Sequence, residues 1–279
     1  MNESAPCATT AAALVAASEL AVAAGRVLQE HRRHGALNTA SKSRRRELVT
    51  AADRAAERVV VEGLLQHFPS HGILAEEGVL TTAGVASRSG DWLWIVDPLD
   101  GTTNYVHGLP NYAVAIALAW RGTPVVGVVH APALGESFAV TAGGGAWLTT
   151  ADGHRSALRV SATAEVADAL LATGFSYHRN EPGRDDNLAR IGRVLPACRD
   201  LRRLGSAELD LCYVAAGRLD GYWELDLQPY DMAAGAVLVR EAGGSVGDLV
   251  GAQDWLFGGR VLASNGLLHE ELLRLVGGP

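Results

Sequence analysis

Cysteine is scarce: Cys7, Cys198 and Cys212 are the three in 279 residues. An odd, widely spaced set offers neither a disulfide framework nor paired zinc ligands, and it suits a reducing compartment. No uninterrupted apolar run reaches the length of about 18 residues that marks a membrane-spanning helix. Early Lys and Arg are missing from the N-terminus, which carries Glu3 and has its Ala-rich run broken by Glu19. It therefore does not read as a secretory leader. Basic excess is missing as well. The 24 Lys and Arg face 31 Asp and Glu, for a net charge of −7, which argues against nonspecific nucleic-acid binding. No internal repeat is visible. The expectation is a cytoplasmic protein with no nucleic-acid or membrane partner.

What is present is an ordinary globular composition, 48% apolar with 32 Gly, long enough for one large domain or two packed subdomains. Residues 9–34 predict a helix, with Leu20, Ala24, Val27, Leu28 and His31 on one face and Gly35 as its stop. Residues 36–46 are polar and carry Lys42, Arg44, Arg45 and Arg46. They read either as a solvated face or as a basic lid that draws in an anionic substrate. Thr50 is a good N-cap for a helix to His67, with Asp53 in its first turn complementing the helix dipole. A short strand at 73–75 ends at Glu76 and Glu77, adjacent acids of which at most one can serve as a ligand. Residues 81–90 read as a loop. Runs at 113–120, 125–130, 136–140 and 146–148 predict a largely antiparallel meander. Beyond 165, strands near 169–173, 221–225 and 261–263 alternate with helices near 186–195, 207–216, 230–242 and 267–276.

The chemistry concentrates at residues 94–104. The apolar strand 92–96 ends at Asp97, and Pro98, which cannot donate to a ladder, closes it. Asp100 follows, and then Gly101, Thr102 and Thr103 supply backbone N–H groups and hydroxyls where a helix can open. Two carboxylates at a strand end beside a helix start make a place for hard cations next to a place for a phosphate. The alternative is a plain turn with an Asx turn. Four acids stand out by context: Glu76, Asp97, Asp100 and Asp231. The first three follow short apolar strands. Asp231 opens a helix, where Asp also serves as an N-cap. If the four converge, they form an all-oxygen site for Mg²⁺ or Mn²⁺ rather than zinc. Haloacid dehalogenase-type phosphatases use Asp-x-Asp-Gly-Thr. The extra residue between Asp97 and Asp100, and the spacing of Asp248 and Asp254, do not fit that pattern.

The pattern resembles the inositol monophosphatase family of metal-dependent, lithium-sensitive phosphatases. Its signature Asp-Pro-x-Asp-Gly-Thr-x-Asn-Phe appears at 97–105 with Tyr105 for Phe. Its Trp-Asp-x-Ala-Ala-Gly appears at 230–235 with Tyr230 for Trp. The Glu76-Glu77 pair, Leu-Val-Thr-x-x-Asp at 48–53 and Gly-Ser-Ala at 205–207 occur in the expected order. The resemblance implies that Glu76, Asp97 and the carbonyl of Leu99 hold one Mg²⁺, that Asp97, Asp100 and Asp231 hold a second, and that a third sits more loosely near Glu76. It makes Asp53, Thr102 and Glu76 the catalytic set, with Thr102 and Asp53 positioning the attacking water. Gly101, Thr102 and Thr103 would meet the phosphate. Gly205, Ser206, Ala207 and Glu224 would line the alcohol side, with Lys42 in a loop near the metals. Glu224 has the alternative reading of a surface acid at a strand end.

The fold so implied is an α/β (α+β) chain in a layered α/β/α/β/α sandwich, usually a homodimer. A soft boundary near 150 gives an N-terminal α+β subdomain, 1–150, carrying the metal and phosphate motifs. A C-terminal α/β subdomain, 151–279, completes the site within one compact unit. The expected activity is Mg²⁺-dependent hydrolysis of myo-inositol 1-phosphate or a related sugar-alcohol phosphate. Histidinol phosphate is the main rival, followed by fructose 1,6-bisphosphate and nucleotide 3′-phosphates. A binding role with RNA polymerase or ribosomal-RNA factors, which some family members have, is the reading from a different class.

Overall fold

The computed structural model describes residues 5–34, 40–41, 48–78, 91–252 and 254–278. Lys42, the basic run at 44–46 and the loop at 81–90 lie outside them. The chain opens with α1 (Cys7–Arg33), whose buried stripe of Ala13, Ala17, Ala21, Ala24 and Leu28 repeats at helical spacing. A minimal antiparallel ladder, β1 (Ala40–Ser41) with β2 (Leu48–Val49), leads into α2 (Ala51–His67). In length and composition α1 passes for a spanning helix, with a mean hydropathy of 1.6 over an 18-residue stretch. Here its apolar stripe packs against α2 and the first sheet.

That sheet has seven strands side by side: β3 (Gly72–Ala75), β4 (Trp92–Asp100), β5 (Ala113–Trp120), β6 (Thr123–Ala131), β7 (Glu136–Thr141), β8 (Gly145–Thr150) and β9 (Arg155–Ala157). From β4 onward every pairing is antiparallel, as the meander predicts, whereas β3 runs parallel to β4. The pleat of β5 sorts its side chains by size. Val114, Ile116 and Leu118 join the core shared with α1 and α2, while Ala113, Ala115, Ala117 and Ala119 face the opposite layer. Large strand residues thus meet an alanine-faced helix, and small ones admit a second helical layer.

A short helix, α3 (Thr102–His107), follows β4. The second layer is α5 (Ala207–Ala215) with α6 (Ala233–Glu241), and α4 (Leu188–Val194) precedes them in the chain. The helix α6 crosses β6 so closely that a Cβ on Gly127 would lie 2.7 Å from the Ala234 carbonyl oxygen. On the far side of α5 and α6 lies a five-stranded sheet in the order β11 (Asp200–Arg202), β10 (Leu170–Thr173), β12 (Gly221–Leu225), β14 (Arg260–Ser264), β13 (Ser245–Gly247). In it β10 is parallel to both neighbours and β14 antiparallel to both of its own. After the short α7 (Trp255–Gly258), α8 (His269–Val276) joins α4 to cover the outer face. The order helices, sheet, helices, sheet, helices is the five-layer sandwich that the resemblance implies.

Two local expectations are corrected. The strand does not end at Asp97: β4 continues to Asp100, with a register shift as Asp97 faces Ala115 and Asp100 faces Ala113. Three steps on β4 oppose two on β5, so Pro98 sits in a bulge where no ladder N–H is required. Asp231 does not open a long helix from 230. It closes a single 3-10 turn, Pro229–Asp231, and α6 begins at Ala233 behind the N-cap Met232. The first sheet runs on to Ala157, and the second begins at Leu170.

Candidate active site

Asp97 and Asp100 are three residues apart, so in a regular strand they would point to opposite faces. The extra residue in β4 turns both into one cleft, lined also by Glu76, Leu99, Gly101, Thr102, Gly205, Ala207, Glu224 and Asp231. Asp97 is 2% exposed, and its Oδ1 accepts the Leu99 N–H at 2.9 Å. The Asx turn and the cleft-facing carboxylate are therefore both present. Asp100 accepts the Ser206 hydroxyl at 2.6 Å and the N–H groups of Ala207 and Glu208 at 3.2 and 2.8 Å. It thereby caps α5 from another strand. Asp231 accepts the Gln228 N–H at 2.6 Å, which holds its turn closed. Of the adjacent acids at the end of β3, only Glu76 lines the cleft. The Glu77 backbone is instead tied to α2, its N–H 2.6 Å from Glu57 Oε2.

Asp53 lies fully buried beneath this floor. Its Oδ2 accepts from the Thr50 N–H and hydroxyl, completing a capping box with Thr50 at the start of α2. Its Oδ1 is 3.3 Å from the Thr102 hydroxyl, which also reaches the Leu99 carbonyl at 3.1 Å. One carboxylate thus both caps a helix and meets the cleft threonine. Gly101 has φ 90°, and a Cβ there would lie 2.8 Å from the Asn111 carbonyl oxygen, so only glycine fits. Asn104 donates to the carbonyls of Asn111 and Leu204, both at 2.7 Å, clamping the 204–205 loop onto α3.

Not every motif residue faces the cleft. Ser206 is buried with its hydroxyl committed to Asp100, so of the Gly-Ser-Ala trio only Gly205 and Ala207 are on the wall. Thr103 does not line the cleft either. Glu224 is on the wall, at the end of β12. Its Oε2 accepts the Tyr222 hydroxyl at 2.5 Å, and its carboxylate fills the space a Cβ on Gly174 would need, within 2.1 Å. The sequence reading did not single out Ser176, Tyr177, Arg203, Glu208 or Asp210. Arg203 is the one cationic side chain among the described residues lining the cleft, and it lies against Gly205. Asp210 is 1% exposed, with its Oδ1 unpartnered among the described residues. Two acids in the first turn of the otherwise apolar α5, directly after the Gly-Ser-Ala motif, were the available signal.

The cleft is electrostatically loaded. Burial, then Glu76, Asp100 and Asp231, push Asp97 well above the usual carboxylate range. Burial, then Glu76, do the same to Asp231. Burial raises Asp100 against the opposing Ser206 and α5 donors, and burial raises Asp53 against its Thr50 bonds. Glu224 is pushed up to about 7, mainly by burial, with Tyr222 and Arg203 opposing. No three acidic, histidine or cysteine side chains among the described residues are drawn together as a ready-made cation shell. Yet the donors facing the cleft are all oxygen, and their mutual repulsion is what a bound hard cation reverses. The residues present therefore fit Mg²⁺ or Mn²⁺.

The chain is similar to known proteins over most of its length. Residues 11–277 match the model of the inositol monophosphatase family. The chain is 42% identical over 232 residues to the Nus factor SuhB of Pseudomonas aeruginosa, covering 83% of each chain. It is 41% identical over 233 residues to an inositol-1-monophosphatase of Mesorhizobium japonicum, covering 84% of each. The solved structure of an inositol monophosphatase from Anabaena superposes with a TM-score of 0.81 at 42% identity, over 94% of both chains. With a family model spanning residues 11–277, nearly its whole length, the chain belongs to the inositol monophosphatase family.

Proposed function

We propose that this chain is a Mg²⁺-dependent phosphomonoesterase acting on myo-inositol 1-phosphate or a close sugar-alcohol phosphate. The observation that carries the reading is the convergence of Glu76, Asp97, Asp100 and Asp231 on a cleft lined also by Thr102, whose hydroxyl is 3.3 Å from the Asp53 carboxylate buried beneath it. Glu76, Asp97 and the Leu99 carbonyl would hold one ion, and Asp97, Asp100 and Asp231 another, with a third near Glu76. Bound there, the cations supply charge neutralisation at the phosphoryl group, a lowered water pKa and stabilisation of the departing oxygen. Thr102 orients the attacking water through its hydroxyl, and Asp53 accepts the proton passed through that hydroxyl. Gly101 and Thr102 stand where the first-turn amides of α3, which have no intrahelical acceptors, would meet phosphate oxygens. Catalysis is then positioning and charge neutralisation.

On the alcohol side, Glu224 accepts hydroxyl protons while Gly205 and Ala207 shape the wall. Arg203 favours an uncharged polyol over histidinol phosphate. It faces Glu224 closely enough to lower that residue's pKa, so a histidinol ammonium would be placed beside a guanidinium. By the family resemblance the protein is a cytoplasmic homodimer inhibited by Li⁺. The name of the Pseudomonas relative, a Nus factor, is the observation favouring the second reading, a binding role beside catalysis.

Phosphate release with Mg²⁺ across myo-inositol 1-phosphate, histidinol phosphate, fructose 1,6-bisphosphate and a nucleotide 3′-phosphate tests the proposal. The inositol phosphate should give the highest kcat/KM. No release from any of them would sink the enzymatic reading. An advantage of about tenfold for histidinol phosphate, the scale of one charge-assisted contact, would sink the substrate assignment alone.

A further inference from the structure

We infer that Glu208 is a positioning residue for the cation site, setting the separation between Asp100 and Asp231 by tying α5 to the start of α6. The inference rests on the phosphatase reading of the cleft and adds a residue to which the family motifs assign no role. Glu208 is fully buried in the first turn of α5. Its N–H donates to Asp100 Oδ2 at 2.8 Å. Its own carboxylate accepts the N–H groups of Ala234 at 3.1 Å and Gly235 at 2.5 Å. These are first-turn donors of α6, which have no acceptor within their own helix. One residue therefore holds a cleft carboxylate with its backbone and the helix behind another cleft carboxylate with its side chain.

The path is short. Asp231 ends the turn that precedes α6, with only Met232 between it and Ala233. Ser206 and Ala207 also hold Asp100, but Glu208 alone among these three donors is recorded reaching α6. The fit is tight. A Cβ on residue 235 would lie 2.4 Å from the Leu211 Cβ and 2.7 Å from Glu208 Oε2, so the carboxylate reaches the α6 amides because residue 235 is glycine. A buried acceptor holds its donors in place, because leaving the α6 amides unpaired away from water would cost free energy. If Glu208 only capped α6, its loss would cost stability and leave cation affinity unchanged. If it sets the gap between the carboxylates, cation affinity falls even in a folded variant.

The test is direct Mn²⁺ binding to the full chain by calorimetry, without substrate, for the unsubstituted protein, Glu208→Gln, Glu208→Ala and Asp97→Asn. Thermal midpoints without metal are measured alongside. Partners that orient metal ligands typically contribute about 10- to 100-fold in affinity. Glu208→Ala should lose that much, and Glu208→Gln, which keeps one acceptor oxygen, a smaller part of it. Where the alanine variant does not fold, the glutamine variant decides. Unchanged Mn²⁺ affinity in a folded Glu208→Gln or Glu208→Ala, with only the thermal midpoint lowered, overturns the inference while Asp97→Asn still abolishes binding. Unchanged binding in Asp97→Asn overturns the cleft reading itself, and this inference with it.

Discussion

Asp97 carries two tasks that asparagine separates. The amide oxygen of Asp97→Asn can still accept the Leu99 N–H, so the Asx turn survives, but the charge needed by a cation is gone. Removing a buried carboxyl that its neighbours already disfavour as an anion should leave the metal-free fold intact. Phosphate release at saturating Mg²⁺ should fall by about a thousandfold or more, since charge neutralisation carries the barrier. A folded variant that keeps about a tenth of the activity would mean that Asp97 does not hold the cations. Glu224→Gln separates substrates instead. The amide accepts hydroxyl protons as well as the carboxylate does, so an inositol phosphate should lose about tenfold or less in kcat/KM, whereas a cationic alcohol should lose clearly more. Equal losses for both would show that Glu224 does not contact the leaving group. Asp97, Asp100 and Glu76 were legible as candidates because each follows a short apolar strand. Arg203 was not, because nothing in its local context distinguishes a cleft charge from a solvated one.

The two helices between the sheets carry the C-terminal half of the site, and their seating depends on missing side chains. Gly127 on β6 lies under the first turn of α6. Gly127→Ala would force Ala234 outward, and overpacking of this kind costs about 1–3 kcal/mol. The denaturant midpoint should fall accordingly, and Mg²⁺ half-saturation should rise, because Asp231 precedes that turn. A substitution that lowers the midpoint without changing the Mg²⁺ dependence would show that α6 yields elsewhere. Most of these elements were readable in advance. Thr50 as N-cap and His67 as end hold for α2, and the meander from β4 onward follows its Gly and Pro breaks. The elements missed are short ones: β1 and β2 have two residues each, and β9, β11, β13 and α7 three or four. Such lengths show no full period, and cross-sheet pairing rather than local propensity sets them.

Taken as one titrating body, the protein stores repulsion that a cation releases. Glu224 and Glu208 are pushed up to about 7 and about 8, chiefly by burial. The folded chain therefore keeps protons that the unfolded chain, with a glutamate pKa of 4.5, has released. Such groups stabilise most fully below the unfolded value, and the benefit is lost as pH rises through the folded one. His130 runs the other way: burial, then Arg26, push it down to about 4 from 6.5, so it costs stability as pH falls through 6.5. Between about pH 7.5 and 8, where unfolded histidines have largely lost their protons, the carboxyls dominate and the metal-free thermal midpoint should drop. Mg²⁺ should offset that drop, since it would bind the ionised forms of Asp97, Asp100 and Asp231, which burial also raises. A metal-free midpoint that rises over this interval would contradict the burial of these groups.

Local chemistry was enough for the strand that delivers Asp97, the cap at Thr50, the turn glycine at 101 and the all-oxygen character of the acids. Each of these depends on neighbours within a few residues, where backbone geometry leaves little choice. Convergence was a different matter. Asp97 and Asp100 share a cleft because one extra residue in β4 breaks its alternation against β5. Asp231 joins them because α6 is seated on Gly127 and held by Glu208, more than 20 positions earlier in the chain. Those are packing distances between separate layers, and no pattern along the chain encodes them, because side chains from distant elements must fill the same space before the gap between carboxylates has a value.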